Sequence, residues 1–421
     1  MSAAGAHGLS ALSDLRVVEL GVWVAAPSAA ALLADWGADV IKVESPTGDP
    51  MRNVFGSLGI AGDLPNPAFA LDNRGKRSVV LDLRQDDDRA RLEALLAGAQ
   101  VFVTNLRPDA LDNLGLEPGA TVARHPHLVY CSISGYGLRG DDRNRPAYDI
   151  GAFWARSGLS MQMADGDGNP LNARGGIGDH ITGLAALSGI LGAVLEQRAS
   201  GRGRVVEVSL LRTGSYILGW DLGLQLALGK VAAAEPRQRN QAPLMNPYRA
   251  GDGRWFFLTG LEAGRHIASV CRALERPDLL DDPRFADATS LRRHRAEVIA
   301  ALDEIIATRS FDEWVARFDA EGVWWAPAQA PPEVVADPQL LANDGFVEVD
   351  GGALRSVNGP VSFGPPAGDG DGDGDGHDDG AAGAIAPSRQ VRVPQLGEHS
   401  IEVLGELDEL GRPDRGRGPQ P

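Results

Sequence analysis

The sequence predicts an α/β protein: a parallel sheet with helices on its faces, followed by a smaller α+β unit. Three observations carry this. Strand-like runs at residues 15–20, 39–44, 79–83, 100–104 and 128–133 alternate with helix-like segments, the order that builds parallel sheets. Polar and basic residues gather beside the strand ends, where open α/β sheets take their ligands. A polar, irregular stretch at 230–247, read as a linker, separates this part from a second grouping. That grouping has a strand at 254–258 after the Asp252–Gly253 turn, helices near 265–274, 290–307 and 311–321, and a returning strand within 322–328.

In order, the chain opens with residues 1–12, small, polar and expected to fray. Val17, Val18 and Leu20 make the first strand, and Gly21 ends it. Ala25-Ala-Pro27 leads into a helix through Ala29, Leu32, Leu33 and Trp36, and Gly37 closes it before the strand at 39–44. This is a βαβ unit. Its first turn lacks the GxGxxG spacing, so no nicotinamide or flavin dinucleotide is indicated. After a loop-rich stretch, Asn73-Arg-Gly-Lys-Arg-Ser78 precedes a strand, a charged helix spans about 86–96, and Asn105-Leu-Arg-Pro108 closes the next strand. A helix near 110–114 follows, and Ser134-Gly-Tyr-Gly137 ends the strand at 128–133. Arg145-Pro-Ala-Tyr-Asp149 leads into a helical stretch with Ile150, Phe153 and Trp154. Gly201-Arg-Gly-Arg204 turns into an alternating strand at 205–209, followed by a helix over about 210–228 and, much later, a short helix at 334–340. Residues 368–380 alternate Gly with Asp; no glutamate follows at the EF-hand spacing, so the composition predicts a disordered linker. A last helix carries Val403, Leu404 and Leu407, and the end from Arg412 reads as loose.

The stretch with the most chemistry is Arg174-Gly-Gly-Ile-Gly-Asp179-His180. Leu184, Leu187, Leu191 and Leu195 recur at helical steps behind it. Asp179 therefore falls where a helix N-cap belongs. Gly175, Gly176 and Gly178 leave the backbone open to a ligand. The carboxylate reads either as a cap or as a nucleophile favoured in its ionised form by the helix N-terminus, and the two roles are compatible.

Composition bounds the rest. The 421 residues suggest about two domains, and the formal charge of −17 argues against general nucleic-acid binding. Cys131 and Cys271 form no CxxC pair, so packed thiols are expected, with neither disulfide nor zinc site. No signal-peptide pattern opens the chain and no run of about 18 apolar residues is expected to span a membrane, so a cytoplasmic protein without membrane contact is expected. Arg74, Lys76, Arg77 and Arg107 are either solvated surface or, as a group in an acidic protein, a phosphate-binding patch.

These motifs together resemble the family III CoA-transferases, the group that includes formyl-CoA transferase and carnitine CoA-transferase. The match starts with Leu20-Gly21, Ala25-Ala-Pro27 and Gly37-Ala-Asp-Val-Ile-Lys-Val-Glu44. It continues through Gly48-Asp49 with Arg52, Asn73–Ser78, Asn105–Pro108, Val129–Gly137 and Arg145–Asp149. Gly178-Asp179 with Thr182-Gly183, Gly201-Arg-Gly203, Val208-Ser-Leu-Leu211 and Leu396-Gly-Glu-His399 complete it. The resemblance implies a large Rossmann-like CoA-binding domain from residues 13–225 and a small α+β domain from 226–330. A segment at 331–410, carrying the Gly/Asp linker at 367–386, returns to the large domain. It also implies a homodimer of interlocked rings, no permanently bound cofactor, no metal, and coenzyme A esters and carboxylates as substrates.

Residue by residue, the resemblance implies Asp179 as the catalytic aspartate, with Tyr148, Asp149 and Gly178 as its neighbours. Trp23, Val24, Ala25, Lys76, Arg77, Asn105, Leu106 and Arg107 fall at CoA-binding positions. The implied chemistry passes through a mixed anhydride and an aspartyl-CoA thioester on Asp179. The family's usual Phe is Leu106 here, and the usual Gly of its Ala-Gly-Pro turn is Ala26. No glycine run appears between Lys230 and Leu261, which points away from oxalate or formate as the acid. An α-methylacyl-CoA racemase shares this fold and is the alternative, but the position of its histidine base is Tyr148, and a phenol with a pKa of about 10 is a poor base at neutral pH. A non-catalytic CoA-binding protein is the third reading.

Overall fold

The computed structural model describes residues 12–57, 59, 66–231, 235–363 and 391–410. The Gly/Asp linker at 367–386, nearly all of the N-terminal stretch and the end from Arg412 lie outside them. The chain divides into two compact units. One holds the described residues of Met1–Ser160, Asn172–Val231 and Asp344–Pro421, the other Met161–Leu171 and Ala232–Asn343.

The first unit is built on six parallel strands: β1 (Arg16–Leu20), β2 (Asp39–Glu44), β3 (Arg77–Val80), β4 (Val101–Thr104), β5 (Val129–Ser134) and β6 (Val205–Ser209). Their spatial order is β3-β2-β1-β4-β5-β6, the Rossmann order, whose switch point lies between β1 and β4. Alternate residues serve opposite faces. Val17, Val40, Val101, Val129 and Cys131 pack under two helices, α1 (Ala25–Asp35) and the long α-helix Ile177–Ser200, called the Asp179 helix below. Val18, Ile41, Val79, Phe102 and Tyr130 pack on the other face with Leu92, Leu95, Leu96 and Leu111, and with Val403 of the terminal helix Ser400–Leu410.

The Asp179 helix departs from two expectations. Its 24 residues are long and apolar enough to cross a membrane by length and composition, yet it lies against α1 and the sheet. Its buried face takes in only part of the leucine stripe. Gly178, Thr182, Gly183, Ala186, Leu187, Ile190, Ala193 and Val194 are buried, whereas Leu184 and Leu195 are exposed. Close packing selects the small residues: a Cβ on Gly183 would lie 2.2 Å from Ser28 Oγ and 3.1 Å from the Ala25 carbonyl of α1. The first turn of α1 is thereby fixed one helical turn from Asp179.

A seven-residue helix, α2 (Pro67–Asn73), begins inside the loop-rich stretch expected at 45–70; it starts at Asn66, whose side chain accepts from the N–H groups of Ala68 and Phe69, with Pro67 at the first position. The stretch after Tyr148 winds as a π-helical turn, Ile150–Ala155. The single helix expected over 210–228 is two, Leu210–Ile217 and Gly219–Leu228.

In the second unit, Met245–Arg249, Trp255–Thr259 and Trp325–Pro327 form an antiparallel sheet. Part of the expected linker is therefore strand. Its Pro247 is tolerated because that strand lies at the sheet edge. Helices Ala263–Ala273, Arg295–Ile306 and Phe311–Glu321 pack on it around Tyr248, Phe256, Leu302, Trp314 and Phe318. Burial pushes the Cys131 thiol up to about 12 and the Cys271 thiol up to about 11, so neither carries thiolate chemistry.

Candidate active site

The Asp179 helix begins one turn earlier than a cap at Asp179 would give. Gly176, in the left-handed region at φ 89°, is the N-cap, and Asp179 is the third helical residue. Its carboxylate is half-buried, and no hydrogen bond from the described residues reaches it. Burial, then the neighbouring charge of Asp149, with a smaller push from Asp72, raises its carboxyl to about 7, while His180 pulls the other way. The N–H groups of Ile177 and Asp179 have no partner among the described residues, so this turn retains donors for a developing oxyanion.

Two elements hold that turn. Asp149, just before the π-helical turn, accepts from Gly178 N–H at 3.0 Å through Oδ2 and supplies the cap that Gly176 cannot. Phe153 of the same turn lies against Gly178 so closely that a Cβ there would sit 2.6 Å from its ring. Gly178 is glycine for this contact. On the α2 side, His180 Nε2 meets Asp72 Oδ1 at 3.0 Å. Asp72 is buried, and burial alone would lower the imidazole's affinity for its proton. The hydrogen bond and charge of Asp72 overcome that and hold His180 above its usual range.

A cavity of about 390 Å³ opens at the switch point. Leu20 at the end of β1 with Gly21 and Val22 after it, Ser45–Asp49 after β2, Leu81–Arg84 after β3 and Leu106 after β4 line it. Beneath it lies a buried charge network. Glu19 receives Lys42 Nζ at 2.8 Å and Lys76 Nζ at 2.6 Å, and Lys42 also meets Asp49 at 2.9 Å. Burial would raise Glu19, but the two ammonium groups hold it below the usual carboxylate range. Burial lowers Lys76 to about 8 against the pull of Glu19.

The structure sorts the residues expected at CoA. Leu106 lines the cavity, and Arg107 is exposed at the start of the helix Pro108–Asn113. Asn105 instead braces the loop after β1, accepting from Val22 N–H and donating to the Val22 carbonyl. Trp23 follows at φ 65°, a strained value for an aromatic residue, held by its N–H to Asp49 Oδ1 at 3.1 Å. Its ring meets the edge of exposed Tyr148, centroids 6.0 Å apart. Val24 and Ala25 are buried. Lys76 and Arg77 do not stand out as phosphate ligands. Lys76 is wholly buried on Glu19, Asn73 and the Pro27 carbonyl. Arg77, at the start of β3, is taken by Asp39, Glu402 and Glu406. Both cations are spent on carboxylates of this chain.

The family model of CoA-transferase family III matches residues 12–369. The chain belongs to this family. A (R)-2-hydroxy-4-methylpentanoate CoA-transferase of Clostridioides difficile is 30% identical over 402 residues, covering 94% of this chain and 95% of that protein. A cinnamoyl-CoA:phenyllactate CoA-transferase of Clostridium sporogenes is 34% identical over 405 residues, covering 94% and 93%. Among solved structures, a CAIB/BAIF family protein from Brucella suis superposes with a TM-score of 0.78 at 28% identity, covering 94% of this chain and 99% of that one. The protein is thus a CoA-transferase whose substrates are CoA esters.

In this CoA-transferase the Asp72–His180 contact has no local signature in the sequence. The two residues are 108 positions apart, and only the buried placement of α2 brings them together.

Proposed function

We propose that this transferase moves coenzyme A between carboxylic acids through covalent catalysis at Asp179. The observation that carries the reading is the Asp179 turn: a half-buried carboxylate with no hydrogen-bond partner among the described residues, on a glycine-lined helix start where the Ile177 and Asp179 N–H groups are open among those same residues.

An Asp179 oxygen attacks the thioester carbonyl of the donor. The C–S bond breaks and gives a mixed anhydride and CoA thiolate. The thiolate attacks the aspartyl carbonyl, the C–O bond breaks, and the donor acid leaves with an oxygen that began on Asp179. The acceptor carboxylate then attacks the aspartyl-CoA thioester and expels thiolate. The thiolate closes the cycle at the acceptor's acyl carbon, restoring the Asp179 carboxylate. The switch-point cavity, with Leu106 on its wall and Arg107 close by in sequence, receives the nucleotide end of CoA. Trp23 and Tyr148 form an apolar rim suited to a branched or aromatic acid, the substrate type in the names of the two relatives, with a common ester such as succinyl-CoA as donor.

The reading includes a homodimer of interlocked rings. Tyr216, Trp220, Leu226 and Leu228 are more than 60% exposed on the two helices after β6, and Leu195 is equally bare on the Asp179 helix. Large apolar side chains left this bare favour burial against a second copy.

The test is a panel of acyl-CoA donors and free acids, with product esters read by mass spectrometry, for the native protein and Asp179→Ala. New esters that vanish in a folded Asp179→Ala protein support the reading. Undiminished exchange by that variant contradicts it.

A further inference from the structure

We propose that Asp72 and His180 form a positioning pair that keeps an imidazolium beside Asp179, so that the active enzyme carries the Asp179 carboxylate next to protonated His180. The proposal rests on Asp179 being the nucleophile.

The geometry comes first. His180 follows Asp179 directly, and successive helical side chains diverge by roughly 100°. The imidazole therefore points to α2, where Nε2 meets Asp72 at 3.0 Å. Asp72 is 2% exposed, and His180 is its one hydrogen-bond partner among the described residues. A buried carboxylate needs a cation or a proton nearby, and His180 supplies both.

The charges facing the turn are few. Asp149 comes from the segment before the π-helical turn, Asp72 from α2, and Lys76 interacts with Asp72 through its charge. At the Gly183 contact, α1 contributes Ser28 and the Ala25 carbonyl, neither charged. Without the imidazolium, three carboxylates would share one turn, and Asp179 would keep its proton at neutral pH and lose its nucleophilicity.

The experiment uses the full-length protein in two ways. Nitrogen-15 histidine NMR, with His180→Gln identifying the signal, follows the His180 midpoint. We expect it to fall by at least one pH unit in Asp72→Asn and by less in Asp179→Asn. Exchange assays with cinnamoyl-CoA and phenyllactate as the probe pair supply pH profiles of kcat/KM. His180→Gln should raise the acid limb by about one unit, so its loss is about tenfold larger at pH 6 than at pH 8.5, and His180→Lys should restore part of it. An unmoved midpoint in Asp72→Asn, or an equal loss at every pH in His180→Gln, overturns the proposal. The NMR arm stands even if the probe pair is not turned over, and His180→Gln, at a half-exposed site, covers the case in which Asp72→Asn fails to fold. Activity in Asp179→Ala would instead remove the nucleophile reading, leaving Asp72–His180 a structural ion pair only.

Discussion

Asp149 Oδ2 accepts a hydrogen bond from the backbone N–H of Gly178 at 3.0 Å, so one carboxylate caps the helix whose first turn presents another. The same group that orients Asp179 also opposes its ionisation. Asp149→Asn keeps an acceptor and removes the charge. The acid limb of kcat/KM should then move down by about one unit. Asp149→Ala loses the acceptor as well and should cost about 1–2 kcal/mol of stability, read by urea unfolding. An acid limb that stays in place in Asp149→Asn would contradict the electrostatic coupling.

Asp179 should show a stability cost for its role. Its carboxyl, raised to about 7, holds its proton more tightly in the folded chain than at the unfolded value of about 3.9. That contribution is present at low pH and is lost as pH rises through about 7. Asp179→Asn should therefore be stabilised at pH 8.5, on the order of 1–2 kcal/mol after allowance for its partial exposure, and by a clearly smaller amount at pH 5, where only part of the contribution has been lost. Thermal unfolding at the two pH values measures the difference.

Gly178→Ala tests the packing of the catalytic turn. The added Cβ would fall 2.6 Å from the Phe153 ring, so the ring or the helix start must move. Overpacking of this kind costs about 1–3 kcal/mol. Because the displaced groups carry Asp179, kcat should drop at least tenfold while the Tm falls by a few degrees. A fully active variant would mean that the turn tolerates movement.

The basic residues should separate by function. Arg107→Ala should raise KM for the CoA ester about tenfold with little change in Tm. Lys76→Met breaks a buried pair with Glu19 and should cost about 3–5 kcal/mol, seen as a loss of folded protein. Arg77→Ala unties Asp39 from Glu406 and should lower stability by about 1 kcal/mol while leaving KM unchanged.

The contrast marks what the sequence could reveal. The βαβ alternation is legible because the central strands β1, β2, β4 and β5 are buried on both faces and read as short, mainly apolar runs, as in Val101–Thr104. The nucleophile is legible because a carboxylate among glycines before an apolar helix is a local pattern. Partnership is not local. Lys76 and Arg77 look like phosphate ligands in the chain, yet Glu19 and Asp39, 57 and 38 residues away, claim them. Leu184 and Leu195 look like core, yet the approach of α1 to Gly183 turns the small residues inward instead. Pro247 hides a strand because its tolerance depends on an edge position visible only in the sheet.

The central claim is that the Asp179 carboxylate becomes part of the transferred bond, and oxygen-18 tests it directly. In the proposed cycle the acceptor acid leaves one of its oxygens on Asp179 as its new CoA ester departs. Turnover with an 18O-labelled acceptor, followed by proteolysis and mass spectrometry, should find the label in the peptide carrying Asp179 and none in Asp179→Ala. Full turnover with no label in that peptide would contradict covalent catalysis at this residue.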